Sequence, residues 1–236
     1  MGVKLKHASG NGTVIGAPAA NPSADITLKA PSTTGSAGQV LAVASANHSS
    51  TNAELEWVAN SAGTGRKILE QFYTPCDGSV IATSAGNITV GGGSLSASVD
   101  PTTSYADMDG SSVAYTPPSG TTQVIYEYSF LLGRKDSGSI IHLKFFIDSD
   151  EVTDARTTIS AQYTHQLVHY KWGINIGGSA VTATGRQASW SSAKTLKAQV
   201  IDYNSSNEGI LHGTYHWGGT TANQFHRPCI GITAIG

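Results

Sequence analysis

The chain has 236 residues, of which 13% are Asp, Glu, Lys or Arg, and a formal net charge of −2. An average globular domain is about 25% charged; here Gly, Ser, Thr, Ala and Asn fill the gap, which suits dense β structure buried against neighbouring subunits. The basic pairs Lys4/Lys6, Arg66/Lys67 and Arg134/Lys135 are scattered, so no nucleic-acid footprint is expected, and no apolar run approaches the ~20 residues of a membrane span.

The opening MGVKLKHASGNG lacks the apolar segment of a signal peptide, and Lys6 stands where a myristoylation motif needs Ser or Thr. Synthesis in a cytoplasm without a leader is therefore expected. Up to about residue 62 the chain is rich in small residues. Short alternating runs, Gly12 to Ile15, Asp25 to Leu28, Gln39 to Val43 and Leu55 to Val58, are each bounded by Gly, Pro, Asn or Ser. Strands this short bury too little apolar area to stand alone, so residues 1–62 read as an attachment or intertwined β segment.

SAGTG at Ser61 to Gly65 marks the boundary of a larger domain, residues 63–236. Lys67 to Tyr73 reads as a strand, although its IleLeuGluGlnPhe run would also suit a short helix. Val80 to Thr83 and Asn87 to Val90 follow as strands, then the Gly-rich Gly91 to Ser94. The strongest signal is Gln123 to Leu132, QVIYEYSFLL, in which alternate positions cover both faces. Ser139 to Ile147 reads as its pairing partner across the ArgLysAspSerGly turn. Further strands are expected at Thr157 to Tyr163, Leu167 to Asn175, Ala188 to Trp190, Leu196 to Tyr203 and Cys229 to Ile235. Gly-bearing turns recur every eight to twelve residues and no 3.6 period persists, so the class is all-β, a sandwich or barrel and not a coiled-coil shaft. About 170 residues form a core without a metal, disulfide or cofactor. Cys76 and Cys229 are too few for a secreted disulfide framework. Two buried thiols are the simpler reading, and a bridge between terminal strands running side by side stays the alternative.

Two regions then resemble known proteins. The elements Asn21-Pro22, Asp25, Leu28, Pro31, Gly35, Gly38-Gln39-Val40-Leu41 and Glu56-Trp57-Val58 are similar to a repeat of phage tail-fibre and other virion proteins, particularly marine ones. The family's acidic-Gly-Ser-Gly turn is replaced here by the longer Ala44 to Asn52. In the remainder, TPPSGTTQVIYEYSFLL, HLKFFIDSDEVTDART, NIGG…ATGRQASW and PCIGITAIG resemble the C-terminal domain of cyanophage-like structural proteins. The order of a ThrProPro run, a tyrosine-rich strand, a PhePheIleAsp strand and an apolar last strand also resembles a trimeric jelly roll of the tumour-necrosis-factor/C1q kind. The resemblance implies a virion component, a homotrimer whose jelly-roll-like β-sandwich follows a short N-terminal β segment. It further implies that the uncharged last strand lies near a threefold axis, hidden from solvent by other subunits.

Candidate chemistry is sparse. His165/His169 and His212/His216 are spaced i, i+4, which on strands sets them roughly 13 Å apart, too far to share one ion. Ordinary sheet or rim histidines are expected, with no metal site. Asp148, Asp150, Glu151 and Asp154 lack the EF-hand Gly and Glu and read as an exposed polar turn. Gly-x-Ser-x-Gly, a phosphate-loop Lys and a dinucleotide context are all missing, so no catalytic residue and no enzyme is expected. Aromatics crowd the second half: Tyr163, Tyr170, Trp172, Trp190, Tyr203, Tyr215 and Trp217. The Gly-rich loop Ile210 to Arg227 combines Tyr215, His216, Trp217, Asn223 and Gln224, rings and amides of the kind that stack on and hydrogen-bond to sugars. The expectation is a fibre or spike subunit used for host adhesion. Its partners would be copies of itself, other virion proteins through the N-terminal segment, and a host surface glycan. A capsid decoration or neck protein without receptor binding is the competing class, and a glycan-cleaving spike the third.

Overall fold

The computed structural model describes residues 3–6, 12–15, 27–37, 39–44, 52–59, 65–92, 95–135, 138–161, 165–214 and 224–236. Strands account for every major element, and the chain divides into two compact units, residues 1–65 and 66–236.

In the first unit β1 (Val3–Lys6) and β2 (Gly12–Ile15) form an antiparallel pair. The strands β3 (Thr27–Lys29), β4 (Gln39–Val43) and β5 (Asn52–Ala59) form a sheet with β5 central, β3 parallel to it and β4 antiparallel. Its turn is locally specified. Gln39 Oε1 accepts the Ser36 N–H at 2.7 Å, and Trp57 Nε1–H donates to the Thr33 carbonyl at 2.9 Å. The Trp57 ring lies so close over Gly35 that a Cβ there would be 2.5 Å from a ring carbon, which only glycine permits. Among this unit's described side chains only Ala44 is buried among the apolar residues, while Val40, Leu41 and Val43 stay 42 to 53% exposed. Among the described side chains this sheet buries no cluster of its own.

The second unit is a sandwich of two five-stranded sheets. In chain order its strands are β6 (Ile68–Pro75), β7 (Val80–Thr83), β8 (Gly86–Thr89), β9 (Ala106–Asp107), β10 (Val113–Tyr115), β11 (Gln123–Arg134), β12 (Ser139–Ile147) and β13 (Asp150–Ala161). They continue with β14 (Gln166–Asn175), β15 (Lys194–Asp202), β16 (Gly209–Leu211), β17 (Gly213–Thr214), β18 (Gln224–Phe225) and β19 (Cys229–Ile235). One sheet runs β10-β15-β12-β13 with β9 beside β15; the other runs β14-β11-β19-β6 with β16 beside β11. Taking β6, β10, β11, β12, β13, β14, β15 and β19 as first to eighth, the orders are 2-7-4-5 and 1-8-3-6. That is a jelly roll of two Greek keys. The all-β sandwich expected from the sequence is the observed fold.

The core is the meeting of alternate residues from both sheets: Tyr126, Tyr128, Phe130 and Leu132 of β11, Ile141, Leu143 and Phe145 of β12, Leu196 of β15, and Ile230 and Ile232 of β19. Tyr126 and Phe145 meet across the layers with ring centroids 4.9 Å apart and planes tilted by 41°. Buried hydroxyls need partners, and each tyrosine finds one. Tyr126 donates to the Ser111 carbonyl and Tyr128 to that of Asp109, both at 2.6 Å, and Tyr115 to Glu70 Oε1 at 2.8 Å.

Three expectations are corrected. Ser139–Ile147 does not pair with Gln123–Arg134: β12 lies in the opposite sheet, between β13 and β15. Ala188 to Trp190 is not a strand, because the segment serves to seat Trp190, whose Nε1–H donates to the Tyr115 carbonyl at 3.1 Å. The last strand owes its apolar character to its own subunit. Central in its sheet, β19 buries Ile230, Ile232 and Ala234 in the core, so no neighbouring copy is needed to hide that face.

Candidate functional site

The surface best placed for a partner is the outer face of the β14-β11-β19-β6 sheet. Period-two alternation turns Cys229, Gly231 and Thr233 of β19 outward while their neighbours fill the core. Beside them lie Ser129 of β11 and Tyr73 and Gln71 of β6. Tyr73 is 53% exposed, and its ring covers Gly231 so closely that a Cβ there would be 2.6 Å from Cδ2. Its hydroxyl hydrogen-bonds Ser129, and Gln71 Nε2 donates to Thr233 Oγ1 at 2.9 Å. Burial pushes the Cys229 thiol pKa up, opposed by a hydrogen bond with Tyr73. One ion pair, Glu127–Lys171, crosses this face. A shallow pocket of about 300 Å³ opens between Tyr73, Glu127, Ser129 and His169.

The opposite outer face is chemically different. Lys144 and Arg156 flank Glu151 at 3.2 and 2.6 Å, holding its carboxyl below the usual range, and Lys197 binds Asp107 at 2.8 Å. Lys144 also sits 4.2 Å over the Tyr105 ring. Exposed charge pairs of this kind are weak, and a covering subunit would have to pay their desolvation.

Between the edges of β13 and β14 runs a groove of about 460 Å³, lined by Arg156, Gln166, Leu167, His169, Lys171 and Trp172. Tyr170 closes its floor by donating to the Ala155 carbonyl at 3.2 Å.

Of the sequence-derived receptor residues, Tyr215, His216, Trp217 and Asn223 lie outside the described residues, as does Tyr163. Gln224 is exposed on β18, opposite Thr214 of β17, whose hydroxyl donates to its carbonyl at 3.3 Å. Among the other aromatics Tyr170 and Trp190 are core residues, and Tyr203 is 58% exposed beside His142. Of the acid cluster only Asp148 sits in a turn, the two-residue Asp148-Ser149, at φ 56° and accepting the Thr195 N–H at 2.8 Å and Lys194 at 3.3 Å. Against the expected polar turn, Asp150, Glu151 and Asp154 belong to β13.

Both cysteines are free thiols. Cys229 pairs in register with Pro75, next to Cys76, but alternation sends the two side chains to opposite faces. Cys76 is buried, donates to the Gly110 carbonyl at 3.1 Å, and is pushed up to about 12 by burial.

His212 departs from the sequence reading of sheet or rim histidines. It is fully buried at φ 61°, its ring edge-on to Tyr128 and Phe130, with Nε2 at 3.2 Å from the Asp109 carbonyl. Burial is the first cause that lowers it to about 4. The i, i+4 spacing carried no signal of this, because burial came from a left-handed turn between two short strands. Asp202 is the buried acid. Only 2% exposed, it accepts the Gly209 N–H at 3.0 Å, and desolvation pushes it up to about 6.

No protein-family model matches the chain, and no curated protein matches it. Among solved structures, a chain of the structure of infectious bursal disease virus, Gx strain, aligns at 10% identity and TM-score 0.31. The alignment covers 77% of this chain and 39% of that one, so the chain spans under half of its length. A likeness at that level carries no argument about fold or function, and the jelly roll rests on the strand order alone.

Proposed function

We propose that the chain is a virion structural protein, a fibre or spike subunit whose jelly-roll head forms a homotrimer and serves host adhesion. The observation that carries the reading is the contrast between the two outer sheet faces. The face around β19 offers the half-exposed Tyr73 ring and the partly exposed Cys229, beside Gly231 and Thr233 that Tyr73 and Gln71 already cover, whereas the other face is tied up in ion pairs. The bare sheet β3-β5-β4 supports an attachment role for the N-terminal unit, because Val40, Leu41 and Val43 need a covering partner. The tail-fibre-like residues Gly35, Gln39 and Trp57 make that sheet's own turn contacts, which agrees with a portable repeat. Host contact falls to the loop Ile210 to Arg227, with Gln224 presented at its edge. Several such sites on one trimer would add through effective concentration. No reaction and no cofactor is part of this reading.

Native mass measurement tests it directly. The full chain is expected as a trimer, and Tyr73→Arg, which places a charge at the exposed ring position of that face, is expected to give folded monomers. A wild-type monomer would defeat the assembly reading. A decoration or neck protein would share the same interface. Labelled antibody on intact virions, with adsorption blocking by the purified protein, separates adhesion from that alternative.

A further inference from the structure

We propose that His212 and His226 form an acid-sensitive clasp, which holds the β17–β18 ladder on the jelly roll at neutral pH and releases it on protonation. The ladder itself is slight, with the two register pairs Gly213↔Phe225 and Thr214↔Gln224. Its attachment to the body runs through His212. The His212 N–H donates to the Leu131 carbonyl of β11 at 2.8 Å, and the His212 carbonyl accepts the His226 N–H at 2.7 Å. The tie depends on the ring staying inside, since the residue holds a left-handed φ of 61° that a non-glycine residue adopts only under tertiary constraint.

Tautomer logic shows why acid would undo it. The Asp109 carbonyl can only accept, so His212 Nε2 carries the hydrogen and Nδ1 keeps a bare lone pair. That Nδ1 is buried with no partner among the described residues, and the same holds for His226 Nδ1. A proton there adds charge and a donor where no acceptor waits. The groups around the ring do not help. Tyr128 of β11 already donates to the Asp109 carbonyl, and the neighbouring His226 lowers the proton affinity of the His212 ring further. His165 packs against Gly133 of β11, and the Arg227 guanidinium is directed to the Cys76 and Leu95 carbonyls at 3.0 and 2.5 Å. Burial keeps the His212 ring neutral down to about pH 4. An opened ladder frees it to titrate near 6.5, so opening gains protons as pH falls. The inference does not rest on the adhesion reading, although Tyr215, His216, Trp217 and Asn223 lie in the chain between the two strands.

Amide hydrogen exchange on the full chain, expressed as protection factors from pH 7 to pH 4, tests the clasp. Protection at the His212 and His226 amides is expected to fall about a hundredfold between pH 6.5 and pH 4, while the β11–β14 ladder keeps its protection. His212→Asn, which tolerates the left-handed backbone but cannot titrate, is expected to flatten that dependence. Flat wild-type protection, or an equal loss along β11, would overturn the proposal. If the variant fails to fold, the ring titration in the wild type decides. A His212 midpoint near 4 supports the clasp, and one at or above 6.5 with the ladder closed sinks it.

Discussion

Tyrosines in the middle of this core are hydrophobic residues with a polar tip that must be satisfied. Tyr126 is wholly buried, and its hydroxyl ends on the Ser111 carbonyl. Burial keeps that hydroxyl protonated far above the ordinary tyrosine range. Tyr126→Phe keeps the ring contact with Phe145 but leaves the carbonyl bare, and is expected to cost about 1 to 2 kcal/mol in urea unfolding. Asp202 works in the other direction. Its folded pKa of about 6 lies above the ordinary 3.8, so the fold prefers its neutral form. The stability this contributes is complete below pH 3.8 and is lost as pH rises through 6. Asp202→Asn can still accept from Gly209 and never ionises. Its stability relative to wild type is expected to rise by about 2 kcal/mol from pH 4 to pH 6.5, read as urea midpoints at constant slope.

Elements here were legible where alternation was strong. The spans Gly12 to Ile15, Gln39 to Val43, Val80 to Thr83, Ser139 to Ile147 and Cys229 to Ile235 match β2, β4, β7, β12 and β19. Pairing was not legible. A two-residue period says that a strand has two faces, not which strand lies beside it, so β12 was assigned to β11 when it crosses to the other sheet. Short elements such as β9, β16 and β17 hold too few residues to show a period. In the N-terminal sheet one close approach carries the turn. Gly35→Ala drives a methyl into the Trp57 ring and is expected to break the Trp57–Thr33 hydrogen bond. Faster amide exchange over β4 and β5, with the jelly roll unchanged, would show it; unchanged exchange would mean that the ring moves aside freely.

The molecule combines a head with a dense core and an N-terminal sheet in which, among the described apolar side chains, only Ala44 is buried. The low charge fraction pointed to covered surfaces, and the head answers part of that expectation by itself, because β19 is covered by its own subunit. What remains is the exposed Tyr73 ring on the outer face, together with the exposed valines and leucine of β4. The candidate loop was visible in the sequence as a Gly-rich stretch of rings and amides. The proposed clasp was not, because His212 and His226 are fourteen residues apart in the chain and meet only when β17 and β18 pair.

Composition and alternation by themselves determined the all-β class, the position of most long strands, β13 excepted, and the absence of a recognisable catalytic motif, since these depend on neighbours along the chain. Tertiary structure alone decided the sheet each strand joins, the burial of His212 and Asp202, and the opposite faces of Cys76 and Cys229. Those properties are set by which distant segments pack together, and local sequence carries no record of that choice.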